Sequence, residues 1–131
     1  MVVDDNRDAA DTLSLILKLT GNKVRTAYSG IEAIKTAEEF KPMAILMDVG
    51  MSNLNGYDAT QRIRAEPWGG DMIIIALTGW GQEQDRLRSK EAGCDGHLVK
   101  PINAADLETL LVNLETARSA GISAPPADFT P

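Results

Sequence analysis

"AILMDVGM", residues 44–51, decides how the chain is read. Four apolar residues run without a polar break into Asp48, and Gly50 follows two positions later. A continuous apolar run of this length marks a strand covered on both faces, and a carboxylate is costly to bury there without a cation or a donor. Asp48 therefore needs partners, and the rest of the sequence has to supply them.

Runs of the same kind occur at residues 1–3 (MVV), 23–27 (KVRTA), 72–77 (MIIIAL) and 97–99 (HLV). Between them the spacing turns helical. Leu13, Ile16, Leu17 and Thr20 share a face, Ile31 and Ile34 make part of one, and Leu107, Leu110, Leu111 and Leu114 form the clearest stripe. Strands that alternate with helices predict an α/β domain built on a parallel sheet. Gly21, Gly30, Gly56 and Gly93 punctuate the helix ends, and "EPWGGD" at 66–71 reads as a loop. Segment 81–93, "GQEQDRLRSKEAG", offers almost no apolar anchors beyond Leu87 and Ala92, which predicts a weakly held helix that is free to shift. The first strand supplies only Met1 to Val3, so it is short or the chain begins inside it. Residues 120–131, with two adjacent prolines and no helical period, read as a linker or disordered tail after a domain at 1–119.

The 131 residues carry 44% hydrophobic and 24% charged side chains, enough apolar material for one core and one domain. A net charge of -6 and no basic stripe argue against direct binding to nucleic acid or an anionic membrane. Cys94 is the single cysteine, so no internal disulfide forms, and it reads as a small core residue rather than a redox sensor. No apolar run of about 18 residues exists to span a bilayer, and no leader pattern directs the chain out of the cytoplasm.

The strand ends carry the chemistry. Asp4 and Asp5 follow the first strand, Asp48 ends the third, Thr78 the fourth, and Lys100 precedes Pro101 after the fifth. In an open parallel sheet these ends share one edge, outside which ligands bind. Three carboxylates gathered there repel one another unless a cation intervenes, and such an oxygen cluster suits Mg²⁺. With Lys100 as a second positive charge and Thr78 as a donor, the parts needed to place a phosphoryl group on Asp48 are present.

In this order and spacing, residues 1–119 resemble a response-regulator receiver domain of two-component signalling, with "ALTGWGQEQDRLRSKEAGCDGHLVKP" (76–101) similar to receivers of hybrid sensor histidine kinases. The resemblance implies a flavodoxin-like (βα)5 three-layer sandwich with a five-stranded parallel sheet in order 2-1-3-4-5. It implies Asp48 as phosphoacceptor, Asp4, Asp5, Asp48 and the Gly50 backbone carbonyl as Mg²⁺ ligands, and Thr78 and Lys100 as contacts to phosphoryl oxygens. A cis bond between Lys100 and Pro101 is implied as well. The donor would be a histidine kinase or histidine phosphotransfer domain. The 78–82 loop, the helix after it, the fifth strand and the last helix would form the output surface, through which a homodimer is open.

Some residues depart from the pattern. His97 stands where receivers usually carry an aromatic switch; an imidazole there could rotate inward or titrate near neutral pH, and the plainer reading is a half-buried strand residue. Ser52 replaces a common proline and Asn55 a common aspartate, which predicts a looser loop. Trp80 and Gly50, each two residues past a site residue, flank the path of a hydrolytic water; a bulky Trp80 is expected to lengthen the acyl phosphate's life. A turnover phosphotransferase would need a second acid where Gly50 stands, so the chain is expected to catalyse its own phosphorylation and dephosphorylation without being a turnover enzyme. A nucleotide module would need a phosphate-cradling loop after "MVV", where acids stand instead. The remaining alternative is a phosphorylation-independent interaction module on the same fold. Asp5 or Asn6 is also placed to cap the first helix.

Overall fold

The computed structural model describes residues 1–51, 54–79, 83–119 and 127–128. The order is β1 (Val2–Val3), α1 (Arg7–Leu19), β2 (Thr26–Ala27), α2 (Gly30–Phe40), β3 (Ala44–Asp48) and α3 (Gly56–Ala65). Then come β4 (Ile73–Thr78), α4 (Glu83–Ala92), β5 (Gly96–Val99), α5 (Ala104–Ser119) and β6 (Ala127–Asp128). All pairings are parallel, and the sheet runs β2-β1-β3-β4-β5-β6. The first five strands thus keep the order 2-1-3-4-5. The sixth lies within the segment expected to be linker or disordered tail, and it pairs Ala127 with Gly96 and Asp128 with His97. The edge of β5 presents unpaired backbone groups that a short extended segment can satisfy.

The two central strands show why their sequences are apolar throughout. Ile45, Met47 and Ile74 face one layer, where they pack with Ala33, Ala37, Ala59 and Ile63 of α2 and α3. Leu46, Ile73, Ile75 and Leu77 face the other, with Ala10 of α1 and Leu107, Leu110 and Leu114 of α5. Each fully buried Leu or Ile contributes about 1.5–3 kcal/mol, so neither face of β3 or β4 can turn polar cheaply.

Two helical stripes differ from expectation. On α1 the buried residues are Ala10 and Ser14, while Ile16 is 38% exposed and Thr20 is exposed. On α2 they are Gly30, Ala33 and Ala37, and Ile31 lies out at 69%. In both cases small residues allow the helix to approach the sheet, and the large side chains are displaced to the flanks. Leu87 of α4 likewise points to solvent at 57%, leaving Ala92 and Ser89 as the buried residues among the described side chains of that helix. The α5 stripe is buried at Leu107, Leu110 and Leu114 as its spacing predicts.

Helix starts are set by side-chain oxygens: Asn6 accepts from Ala9 N–H, Ser29 from Glu32 N–H and Asn55 from Asp58 N–H. Asn55 is therefore a cap that fixes the start of α3, against the expectation that it loosens the loop. Ser52 lies outside the described residues. Gly93, at φ +103°, ends α4 in a conformation that side chains rarely adopt.

Candidate phosphoryl-transfer site

Register brings the site together. Val3 pairs with Met47, so Asp4 leaves β1 beside the end of β3; Asp48 pairs with Leu77, and Thr78 with Val99. The Lys100 amide then donates to the Thr78 carbonyl at 2.7 Å, which draws Lys100 to the same edge. The Lys100–Pro101 peptide bond is cis.

Asp4 and Asp48 are buried, Asp5 is exposed, and carboxylate oxygens of all three lie within 4.8 Å of one another. Lys100 Nζ sits between two of them, 3.1 Å from Asp4 Oδ2 and 3.2 Å from Asp48 Oδ1. Asp4 Oδ1 accepts from the Asn6 amide at 3.0 Å, and Asp48 Oδ1 from the Gly50 amide at 3.2 Å. Burial lifts the Asp48 carboxyl above its ordinary value; the Gly50 N–H pulls it back, Asp4 pushes it further up, and Lys100 pulls it back again, with a net rise. For Lys100, burial pulls down, but the attraction of Asp48 and Asp4 outweighs it and the amine is raised. One ammonium and one backbone amide hold Asp48, and the repulsion from Asp4 is only partly relieved.

The donor set is hard oxygen with a residual negative charge, which fits Mg²⁺ and does not fit a soft metal. Gly56 sets the floor. A Cβ at that position would overlap the Asp48 carbonyl oxygen and lie 2.8 Å from Val49 Cα, so α3 can begin against the Asp48 backbone only with glycine there. The sequence reading missed this role, and the Asn-Gly pair seven and eight residues after the aspartate is the local signal of it.

His97 is 4% exposed, not half-buried, and its Nε2 lies 2.7 Å from Thr78 Oγ1. The ring is already turned inward onto Thr78. Trp80 lies outside the described residues, as do 81 and 82 of the loop expected to carry the switch.

Residues 1–112 match the family described as response regulator receiver domain. The chain belongs to that family. It is a receiver domain of the two-component type, a signalling module on a five-stranded flavodoxin-like frame. It is similar to the transcriptional regulatory protein PrrA of Mycobacterium leprae, 36% identical over 120 residues, which are 92% of this chain and 51% of that protein. The receiver thus spans about half the length of that relative. Among solved structures, the receiver of sensor histidine kinase PA1611 from Pseudomonas aeruginosa is 35% identical, with a TM-score of 0.77 over 92% of this chain and 94% of that one. That receiver holds a magnesium ion in its active-site cleft. The receiver of Saccharomyces cerevisiae Ssk1, solved with the histidine phosphotransfer protein Ypd1, is 26% identical, with a TM-score of 0.81 over 89% and 88% of the two chains. The expectation that no nucleic acid is involved finds no support in a relative that is a transcriptional regulator. Among the described residues, no helix is long and apolar enough to cross a membrane.

Proposed function

We propose that this receiver accepts a phosphoryl group on Asp48 from the phosphohistidine of a histidine kinase or histidine phosphotransfer domain. The observation that carries the reading is Lys100 Nζ bridging Asp4 and Asp48 at 3.1 and 3.2 Å, at the edge where Asp5 also stands. A carboxylate oxygen of Asp48 attacks phosphorus, the P–N bond breaks, and the donor imidazole leaves with the bond's electrons. Asp4, Asp5, Asp48 and the Gly50 carbonyl would hold Mg²⁺, which when bound neutralises charge on the phosphoryl oxygens. Lys100 supplies a further positive charge, and Thr78 a hydroxyl at the end of the neighbouring strand. Asp48 is buried, and a carboxylate attacks without losing a proton, so the chain contributes positioning and charge rather than proton transfer.

Gly50 stands where a second acid would drive fast hydrolysis, so the reading is a modified switch and not a turnover enzyme. The histidine phosphotransfer partner of the Ssk1 receiver and the magnesium of the PA1611 receiver support the same donor and ion here. Incubation with acetyl phosphate and Mg²⁺ should add one phosphoryl mass to the wild type and none to Asp48→Asn. An unmodified wild type would leave a phosphorylation-independent interaction module as the surviving reading.

A further inference from the structure

We propose that Arg7, stacked on Tyr28 at the flank of the acid cluster, is a positioning residue that receives the anionic phosphodonor, and that Tyr28 keeps its charge unpaired for that use. The proposal rests on the receiver reading above and concerns how the donor reaches that site.

Arg7 opens α1 two residues after Asp5, so it stands at the edge where the carboxylates gather. Tyr28 follows β2, and the Asp4 amide donates to the Ala27 carbonyl at 3.1 Å, which brings Tyr28 to the same edge. The guanidinium carbon of Arg7 lies 4.2 Å from the centroid of the Tyr28 ring, and that stacking orients a long, exposed side chain. A positive charge in the first turn of a helix opposes the helix dipole. Elsewhere α1 obeys that rule, with Asp8 in its first turn and Lys18 in its last. From Val2 to Leu17 Arg7 is the only basic side chain, against Asp4, Asp5, Asp8 and Asp11. A mouth of that charge repels an anionic donor unless a cation meets it first. The ordinary partner for Arg7 is Asp11, one turn along the helix. Asp11 is engaged instead, because the Tyr28 hydroxyl donates to its Oδ1 at 2.6 Å while accepting from Thr26 Oγ1 at 3.4 Å. Among the described residues Arg7 makes no ion pair. One aromatic ring thus orients the guanidinium and takes up the carboxylate that would cancel it. Lys100 is already bound to Asp4 and Asp48, so Arg7 is the open positive charge of its flank.

Two small donors of different charge test this: acetyl phosphate, a dianion at neutral pH, and phosphoramidate, a net monoanion there. With either, an Asp48 oxygen bonds to phosphorus while acetate or ammonia leaves with the electrons of the broken bond. Initial rates of phosphoryl mass gain are read at saturating Mg²⁺ and low ionic strength. Arg7→Gln should slow acetyl phosphate about four-fold and phosphoramidate about two-fold, the weight of one exposed charge on two negative charges and on one. Arg7→Lys should restore both rates, and about 0.5 M salt should erase the differences. Tyr28→Phe keeps the ring but releases Asp11 onto Arg7, so acetyl phosphate should load about two-fold more slowly. A merely structural role would slow both donors alike and would not respond to salt. Equal slowing with the two donors, slowing that persists in salt, or a Lys variant no faster than the Gln variant overturns this proposal alone. So does an Arg7→Gln or Tyr28→Phe protein as fast as wild type. A wild type that gains no mass from either donor overturns the receiver reading and this proposal with it.

Discussion

At the scale of single residues the site is an electrostatic compromise. Asp48 has its carboxyl raised above 3.8, with burial as the first cause and Asp4 as a further one. An acid whose folded-state pKa is raised binds its proton more tightly folded than unfolded. Metal-free stability should therefore fall as pH climbs from 3.8 through the raised value, because the unfolded chain ionises first. The raised Lys100 acts in the same direction at the other end: its contribution is full below 10.5 and is lost as pH rises through its folded value. Lys100→Met removes two of the pulls that hold Asp48 down, so the Asp48 carboxyl should titrate higher in Mg²⁺-free protein. Following the carboxyl carbon by NMR across pH checks this; an unmoved midpoint would mean that the ion pair has no weight in solution.

Among the elements, the end of the sheet opposite the site is fixed by one side chain. Arg64 of α3 donates to the carbonyls of Gly69, Gly70, Met72 and Gly93, and pairs with Asp95 at 2.7 Å. Asp95 Oδ2 also accepts from Ile74 N–H at 2.9 Å, so a single guanidinium ties the α3–β4 and α4–β5 connections to β4. Arg64 is 19% exposed at its side chain, and its removal would strand several carbonyls and a carboxylate. Arg64→Ala should cost about 2–4 kcal/mol in urea unfolding with the m-value unchanged. A loss near zero would show that water replaces the guanidinium without penalty. By contrast α4, next in the chain, buries only Ala92 and Ser89 among its described side chains.

For the whole molecule, an ion held only by the folded state couples the site to global stability. Mg²⁺ at 100 times its dissociation constant should add about 2.7 kcal/mol to unfolding, seen as a raised Tm that EDTA reverses. The double variant Asp4→Asn, Asp5→Asn should lose that gain, and a gain that persists would place the ion elsewhere. The parallel strands and the α5 stripe were legible in the sequence, since residues buried on both faces of a strand or along one stripe must be apolar. Asp4, Asp5, Asp48, Thr78 and Lys100 could be gathered at one edge on the same logic, because strand ends in a parallel sheet share a side. What hid was everything set by close approach between elements. Alanines rather than isoleucines bury α1 and α2, Gly56 presses on the Asp48 backbone, and Arg64 reaches carbonyls up to 29 residues away. Composition and period determine by themselves which segments must leave water. Only the tertiary structure decides which small residue lets two backbones touch, and that Thr78 and His97, 19 residues apart, share one hydrogen bond.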